Sequence, residues 1–273
     1  MAFEMKDIDE TEAPLLDHLI ELRGRLVRCI LALAVGFAAC FSFANEILGF
    51  LIQPLKDAFP DGKGQLIFTK LYEVFFVELK VALFAGFFVS FPVIANQLWA
   101  FVAPGLYAKE KKAFLPFLVA TPVLFVAGAS LAYFVVMPTA FAFFLGFGGE
   151  TGGMEIEALP SAGDYLSLVM QFVLAFGISF LLPVLLLLLH RAGIVSRRQL
   201  VSARRYVIVA IFIFAAIITP PDAISQLLLA VPLILLFEGS LLLMRLQERR
   251  QVASPLSDVM ADGEPDFTET PQG

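Results

Sequence analysis

YLSLVMQFVLAFGISFLLPVLLLLL, residues 165–189, contains no charged side chain. A hydrocarbon core about 30 Å thick is crossed by about 20 apolar residues in a helix, so this stretch alone predicts a membrane span. Working outward, five more apolar stretches occur at 26–43, 74–99, 114–138, 206–219 and 223–244. The first is borderline in length. The stretch 206–219 reaches only about 21 Å at the usual helical rise, short of the hydrocarbon thickness. It turns through Thr219-Pro220-Pro221-Asp222 into the next span, and such a short hairpin must thin the bilayer, recruit flanking residues or pack against something. The fold class expected is an all-α integral membrane protein of six transmembrane helices, several of them proline-kinked, in a cupped array.

The basic residues alternate between the loops. Lys6, Arg23, Arg25 and Arg28 precede or open the first span, and Lys109, Lys111 and Lys112 fill the second junction. Arg191, Arg197, Arg198, Arg204 and Arg205 fill the fourth, with Arg245, Arg249 and Arg250 after the sixth span. The other side has Lys56, Lys63 and Lys70, while Lys80 falls inside a span. By the positive-inside rule both termini face the cytoplasm. A chain 59% hydrophobic, 16% charged and carrying 29 Phe is not an ordinary soluble domain, and no nucleic-acid partner is expected. The first apolar run follows a long acidic segment and lacks a small-residue cleavage site, so it is read as an uncleaved anchor.

Three regions are expected: an acidic segment at 1–13, a six-span domain at 14–246, and a polar tail without structure at 247–273. Cys29 and Cys40 lie about 16 Å apart along one helix and read as small apolar residues. No Cys/His cluster accompanies His18 or His190, so neither metal nor cofactor is expected.

PLLDHLIELRGRLVR, residues 14–28, places Leu15, Leu19, Leu22 and Leu26 at helical spacing. It predicts an amphipathic helix running into span one, with Asp17, Glu21, Arg25 and Arg28 on its polar side. NEILGFLIQPLKDAF, residues 45–59, reads as an amphipathic segment on the outer surface, bent at Pro54. Ser161 and Asp164 have the spacing of a helix cap opening span four. Pro92, Pro116, Pro122, Pro138, Pro183 and Pro232 punctuate the spans, each removing a backbone donor.

Two cytoplasmic carboxylates stand out, Glu21 and Glu110. For Glu21 the competing reading is a pair with Arg25 at i,i+4; for Glu110 it is a solvated loop charge. Glu238, the deepest carboxylate, is either internally paired or functional. Gln171 and Gln226 read as interhelical hydrogen-bonding groups, with a site role for Gln226 as the alternative. No nucleophile elbow, phosphate loop or zinc-protease motif supports catalysis, so no enzymatic activity is expected.

HLIELRGRL (18–26), QLWAFVAPGLYAKEKK (97–112), AYFVVMP (132–138), DYLSLVMQFVLAFGISF (164–180) and ITPPDAISQLLLAVP (218–232) together resemble the TatC family, the multispanning receptor subunit of the twin-arginine protein translocase. The resemblance covers roughly residues 14–246. It implies a concave six-helix protein of the bacterial-type cytoplasmic membrane that binds twin-arginine signal peptides of folded cargo. It also implies recruitment of TatA/TatB-type single-span proteins, further copies of itself in a receptor complex, and export driven by the proton-motive force. Carried onto this sequence, Glu21 and Glu110 match the carboxylate pair that recognises the signal arginines. Arg23 and Lys112 match basic positions beside them, the second commonly arginine in relatives. Pro54 and Asp222 match functional external positions, with a helix cap as the alternative for Asp222. Leu181 stands where relatives often carry Glu or Gln, so no polar site in span four is carried over.

The competing function is a multispanning solute transporter with Glu238 and Asp222 lining a pathway. A transporter is expected to keep ionisable groups near the bilayer centre, and spans three and five have none in their middles.

Overall fold

A computed structural model describes residues 9–59, 64–106, 111–151, 154–156, 158–219 and 222–261, with side chains placed over 18–59, 64–101, 116–148, 158–219 and 222–248. Long apolar sequences need every backbone N–H and C=O satisfied within the segment, and the chain meets this with helices. Helix α1 runs Asp9–Phe41, α2 Ala44–Ala58, α3 Glu73–Leu106 and α4 Lys111–Leu131. A π-helical turn, Ala132–Val136, joins α4 to α5, Met137–Leu145. Then come α6 (Ala162–Ser179), α7 (Leu182–Arg191), α8 (Arg197–Ser202), α9 (Arg204–Ile218) and α10 (Ala223–Ala261). Among the described residues, five helical segments are long and apolar enough to cross a membrane: 18–41, 73–101, 116–145, 162–191 and 223–248. The sixth expected span, α9, has 15 residues, about 22 Å.

The amphipathic stretch at 14–28 and span one form the single helix α1, as its periodicity predicts. Span three reaches further than expected, through the π turn to Leu145. Met137 N–H bonds to the Ala132 carbonyl, five residues back, one residue before Pro138; proline without a donor commonly coincides with such a bulge. The loop after α5 holds a small antiparallel hairpin, β1 (Gly149–Thr151) paired with β2 (Met154–Ile156), which the all-α expectation did not include. At the far end α10 continues to Ala261, past the point where the tail was expected to lose structure. The sequence there keeps strong helix formers such as Leu246, Gln247, Glu248 and Arg249, so propensity carries the helix on after its apolar face ends.

Span four breaks into α6 and α7 at Phe180–Leu181, because Pro183 cannot donate back to the Ser179 carbonyl. Pro54 behaves differently, since α2 runs unbroken on both sides of it and buries it. The core comprises Phe125, Phe172, Phe176, Phe237, Met137, Leu166 and their neighbours, all fully buried between α4, α6 and α10. Elsewhere apolar side chains face outward, Val35 at 70% and Ile217 at 76% exposure, as expected where lipid is the solvent.

Candidate functional site

The amphipathic part of α1 is held against the end of α3. The helices run antiparallel and touch at successive levels. A Cβ on Gly86 would lie 2.6 Å from the Phe37 nitrogen, so only glycine permits this approach. Ser90 Oγ donates to the Ala32 carbonyl at 2.7 Å. Arg28 Nη1 lies 3.5 Å from Gln97 Oε1, and the His18 ring stacks on Phe101 with centroids 4.4 Å apart. This register puts Glu21 beside the last turns of α3, which lead into the junction carrying Glu110. Glu110 lies outside the described residues, and Lys112 falls in the first turn of α4 with its side chain also outside them.

Glu21 accepts from Arg25 Nε at 2.9 Å, with His18 Nδ1 3.9 Å from its other oxygen. Its side chain is 37% exposed and that of Arg25 19%, so the pair is part-buried with the carboxylate as its more accessible member. Arg23 points into solvent on the same turn. The arrangement is a carboxylate with accessible acceptor positions beside cations, suited to a cationic ligand that can displace Arg25.

The other candidates lie elsewhere. Asp222 caps α10: its Oδ1 accepts from Ser225 N–H at 2.6 Å, while its buried Oδ2 has no hydrogen-bond partner among the described residues. Gln226 Nε2 donates to the Phe212 carbonyl at 3.1 Å, and Gln171 Nε2 to the Ile218 carbonyl at 2.8 Å. Both amides therefore tie down the short α9, the interhelical role the sequence suggested. Glu238 pairs with Arg204 Nη2 at 2.8 Å, the internally paired reading. Asp222, the cap of α10, and Glu238 are sixteen positions apart, about 24 Å along the helix axis.

Three features escaped sequence reasoning. Glu73 gathers Thr69 N–H (2.8 Å), Thr69 Oγ1 (2.9 Å) and Lys70 N–H (3.2 Å) on one oxygen. Its other oxygen takes Ser161 Oγ (3.0 Å) and Gly163 N–H (2.8 Å). Ser161 also accepts from Asp164 N–H, so the expected cap exists and is joined to α3 through Glu73. Tyr133 and Tyr165 donate to the Phe50 and Leu51 carbonyls of α2 at 2.6 and 2.7 Å. Glu248 receives Arg197 Nε at 2.9 Å, linking α8 to α10. Only Glu73, an acid at a helix start four residues after a threonine, carried a sequence signal. Among the described residues, no His/Cys/Asp/Glu group of metal-binding size occurs.

The family model for the Sec-independent protein translocase protein (TatC) matches residues 17–232, a range that takes in α1, the α3–α4 junction and the α9–α10 hairpin. The chain belongs to the TatC family. Its relatives include the Sec-independent protein translocase protein TatC of Magnetococcus marinus, 51% identical over 242 residues, 89% of this chain and 88% of that one. The TatC of Escherichia coli strain K12 is 41% identical over 231 residues, 85% of this chain and 87% of its own. A crystal structure of a twin-arginine translocase receptor TatC in DDM superposes with a TM-score of 0.73 at 41% identity, covering 83% of this chain and 98% of that one. As a TatC protein the chain is a core subunit of the twin-arginine translocase and a multi-pass protein of the bacterial inner membrane. The solute-transporter alternative falls with this assignment.

Proposed function

We propose that the chain is the signal receptor of the translocase, with both termini cytoplasmic and Glu21 and Glu110 gripping the paired arginines of a signal peptide. The observation that carries the reading is the docking of α1 along α3, with Glu21 three residues from the His18–Phe101 stack. Guanidinium is planar and offers parallel donors to a carboxylate, whereas ammonium is a point charge on a flexible stem, so a fixed pair of carboxylates discriminates Arg-Arg from Lys-Lys. Charge-assisted hydrogen bonds contribute about 1.5–3 kcal/mol each, less where solvent reaches them. The Arg25–Glu21 pair that the ligand must displace is a part-buried i,i+4 contact, of a type that stabilises isolated helices by only about 0.2–0.5 kcal/mol. Two such grips select a signal without binding it tightly, and the apolar part of the signal adds the rest by packing on the helices. Arg23 and Lys112 keep the carboxylates ionised and positioned. Pro54, Asp222 and Gln226 organise the outer half, where TatA/TatB-type single-span proteins are recruited for export of folded cargo driven by the proton-motive force. Several copies of the chain assemble in one receptor complex, and it performs no catalysis of its own.

Photocrosslinking from positions 21 and 110 to a signal peptide tests this. Glu21→Ala and Glu110→Ala are expected to cut capture of an Arg-Arg signal while the protein still inserts. Undiminished capture in both variants would remove the site.

A further inference from the structure

A groove of about 380 Å³ runs between α4, α7 and α10, away from α1 and from the α9–α10 turn. Phe117, Leu124, Leu187, Leu236 and Leu243 supply most of its walls. Along α10 it extends from Leu235 to Gln247, about 18 Å of helix, which is close to half the hydrocarbon thickness. Gly239 forms part of the floor, and a Cβ built on it meets no atom within 4 Å, so the groove is open there. Arg191 stands at the arginine-rich end, its guanidinium 5.1 Å above the Phe117 ring.

We propose that this groove binds one acyl chain of an anionic phospholipid, with the lipid phosphate at Arg191. The groove's length matches one leaflet. Its lining is apolar over the depth of the acyl region and turns cationic at one end, the pattern a phospholipid presents in reverse. Arginine suits the headgroup because its fork of donors matches phosphate oxygens. The ring beneath the guanidinium fixes it at the groove mouth. This inference stands whether or not Glu21 and Glu110 bind signals.

The test uses the purified full-length protein in detergent, with phosphatidylglycerol and phosphatidylcholine of identical chains as probes. Native mass spectrometry counts retained lipid, and melting curves without added lipid check each variant's fold. The wild type is expected to retain phosphatidylglycerol about fivefold over phosphatidylcholine, the selectivity one basic side chain provides. Gly239→Leu fills the groove and is expected to abolish retention of both lipids. Arg191→Gln is expected to retain lipid but lose the preference. Val35→Leu, on the lipid-facing side of α1, leaves retention unchanged. Retention by a folded Gly239→Leu equal to wild type overturns the proposal, as does an undiminished preference in Arg191→Gln. Should Gly239→Leu fail to fold, Arg191→Gln decides alone. A photoreactive residue at Leu243 is expected to crosslink lipid, and capture of a polypeptide there instead would also overturn it.

Discussion

The Tyr133 hydroxyl donates to the Phe50 carbonyl at 2.6 Å, and Phe50 is the residue whose helical donor Pro54 has removed. In an unbroken helix the Phe50 carbonyl accepts from the N–H four residues on. Proline has none, so the tyrosine takes its place and its ring stacks on Phe50 at 4.4 Å. The arrangement ties helix α2 to the π turn of span three, and gives Pro54 a structural reason for its position.

Tyr133→Phe is therefore expected to leave that carbonyl unsatisfied and to destabilise the protein by about 1–3 kcal/mol. In a Pro54→Ala background, where the helical donor returns, the same change should cost much less. Equilibrium unfolding of the four proteins in one detergent measures the coupling. Equal costs in both backgrounds would separate the tyrosine from the proline.

At the other end of the molecule, Glu21→Gln keeps the acceptor but discards the charge. It is expected to lose most of the preference for Arg-Arg over Lys-Lys signals, read as the ratio of crosslinked peptide. Arg25→Ala is expected to change stability by about 0.5 kcal/mol, the scale of an i,i+4 ion pair on a helix. If Glu21→Gln discriminates as well as the parent, charge is not the discriminating property.

Gly86→Ala forces a Cβ to within 2.6 Å of the Phe37 backbone nitrogen, so α1 must move off α3. A cost of about 1–3 kcal/mol is expected, with weaker signal capture because Glu21 is carried on α1. Gly24→Ala on the same helix meets no atom within 4 Å and should be neutral or slightly stabilising. Thermal unfolding of the two variants distinguishes close approach from general glycine flexibility.

Glu73→Ala removes the acceptor shared by the starts of α3 and α6. A lower melting temperature is expected, together with faster hydrogen exchange at the Gly163, Thr69 and Lys70 amides. Unchanged exchange at Gly163 would show that the two helix starts are held by packing alone.

Gln171→Leu frees the Ile218 carbonyl at the end of α9 and is expected to cost about 1 kcal/mol, within the range for interhelical hydrogen bonds in membranes. Unfolding in graded denaturing detergent checks it.

What could be read from the sequence followed from strong, local signals. Uninterrupted apolar runs fixed the spans, the arginine alternation fixed the expected orientation, and leucine spacing fixed the amphipathic start of α1. The short α9 was visible from residue count alone. The Glu21–Arg25 pair stood among the alternatives through its i,i+4 spacing, and so did an internal pairing of Glu238, though its partner Arg204 was not readable. Contacts between distant segments were not readable. Tyr133 and Phe50, or Glu73 and Gly163, meet only because helix packing brings them together, and neither sequence position advertises the other. The π turn was hidden too, since the residues 132–136 fit α-helical winding equally well. The sequence motifs assembled Glu21 with Glu110, whereas the structure describes the α1 side of that site.

The π turn at Ala132–Val136 has a consequence for α5, the last part of span three. A π turn holds one residue more than the α-helical winding it interrupts, and each residue of an α-helix rotates the chain about 100°. Met137, where the π turn ends, and Phe141, one turn further on, are both buried in the core. Deleting one residue there would preserve the helix yet swing its outer portion by more than a quarter turn, exchanging the buried face of α5 for its lipid face. The segment therefore acts as a frame-setter, coupling the rotational phase of α5 to that of α4.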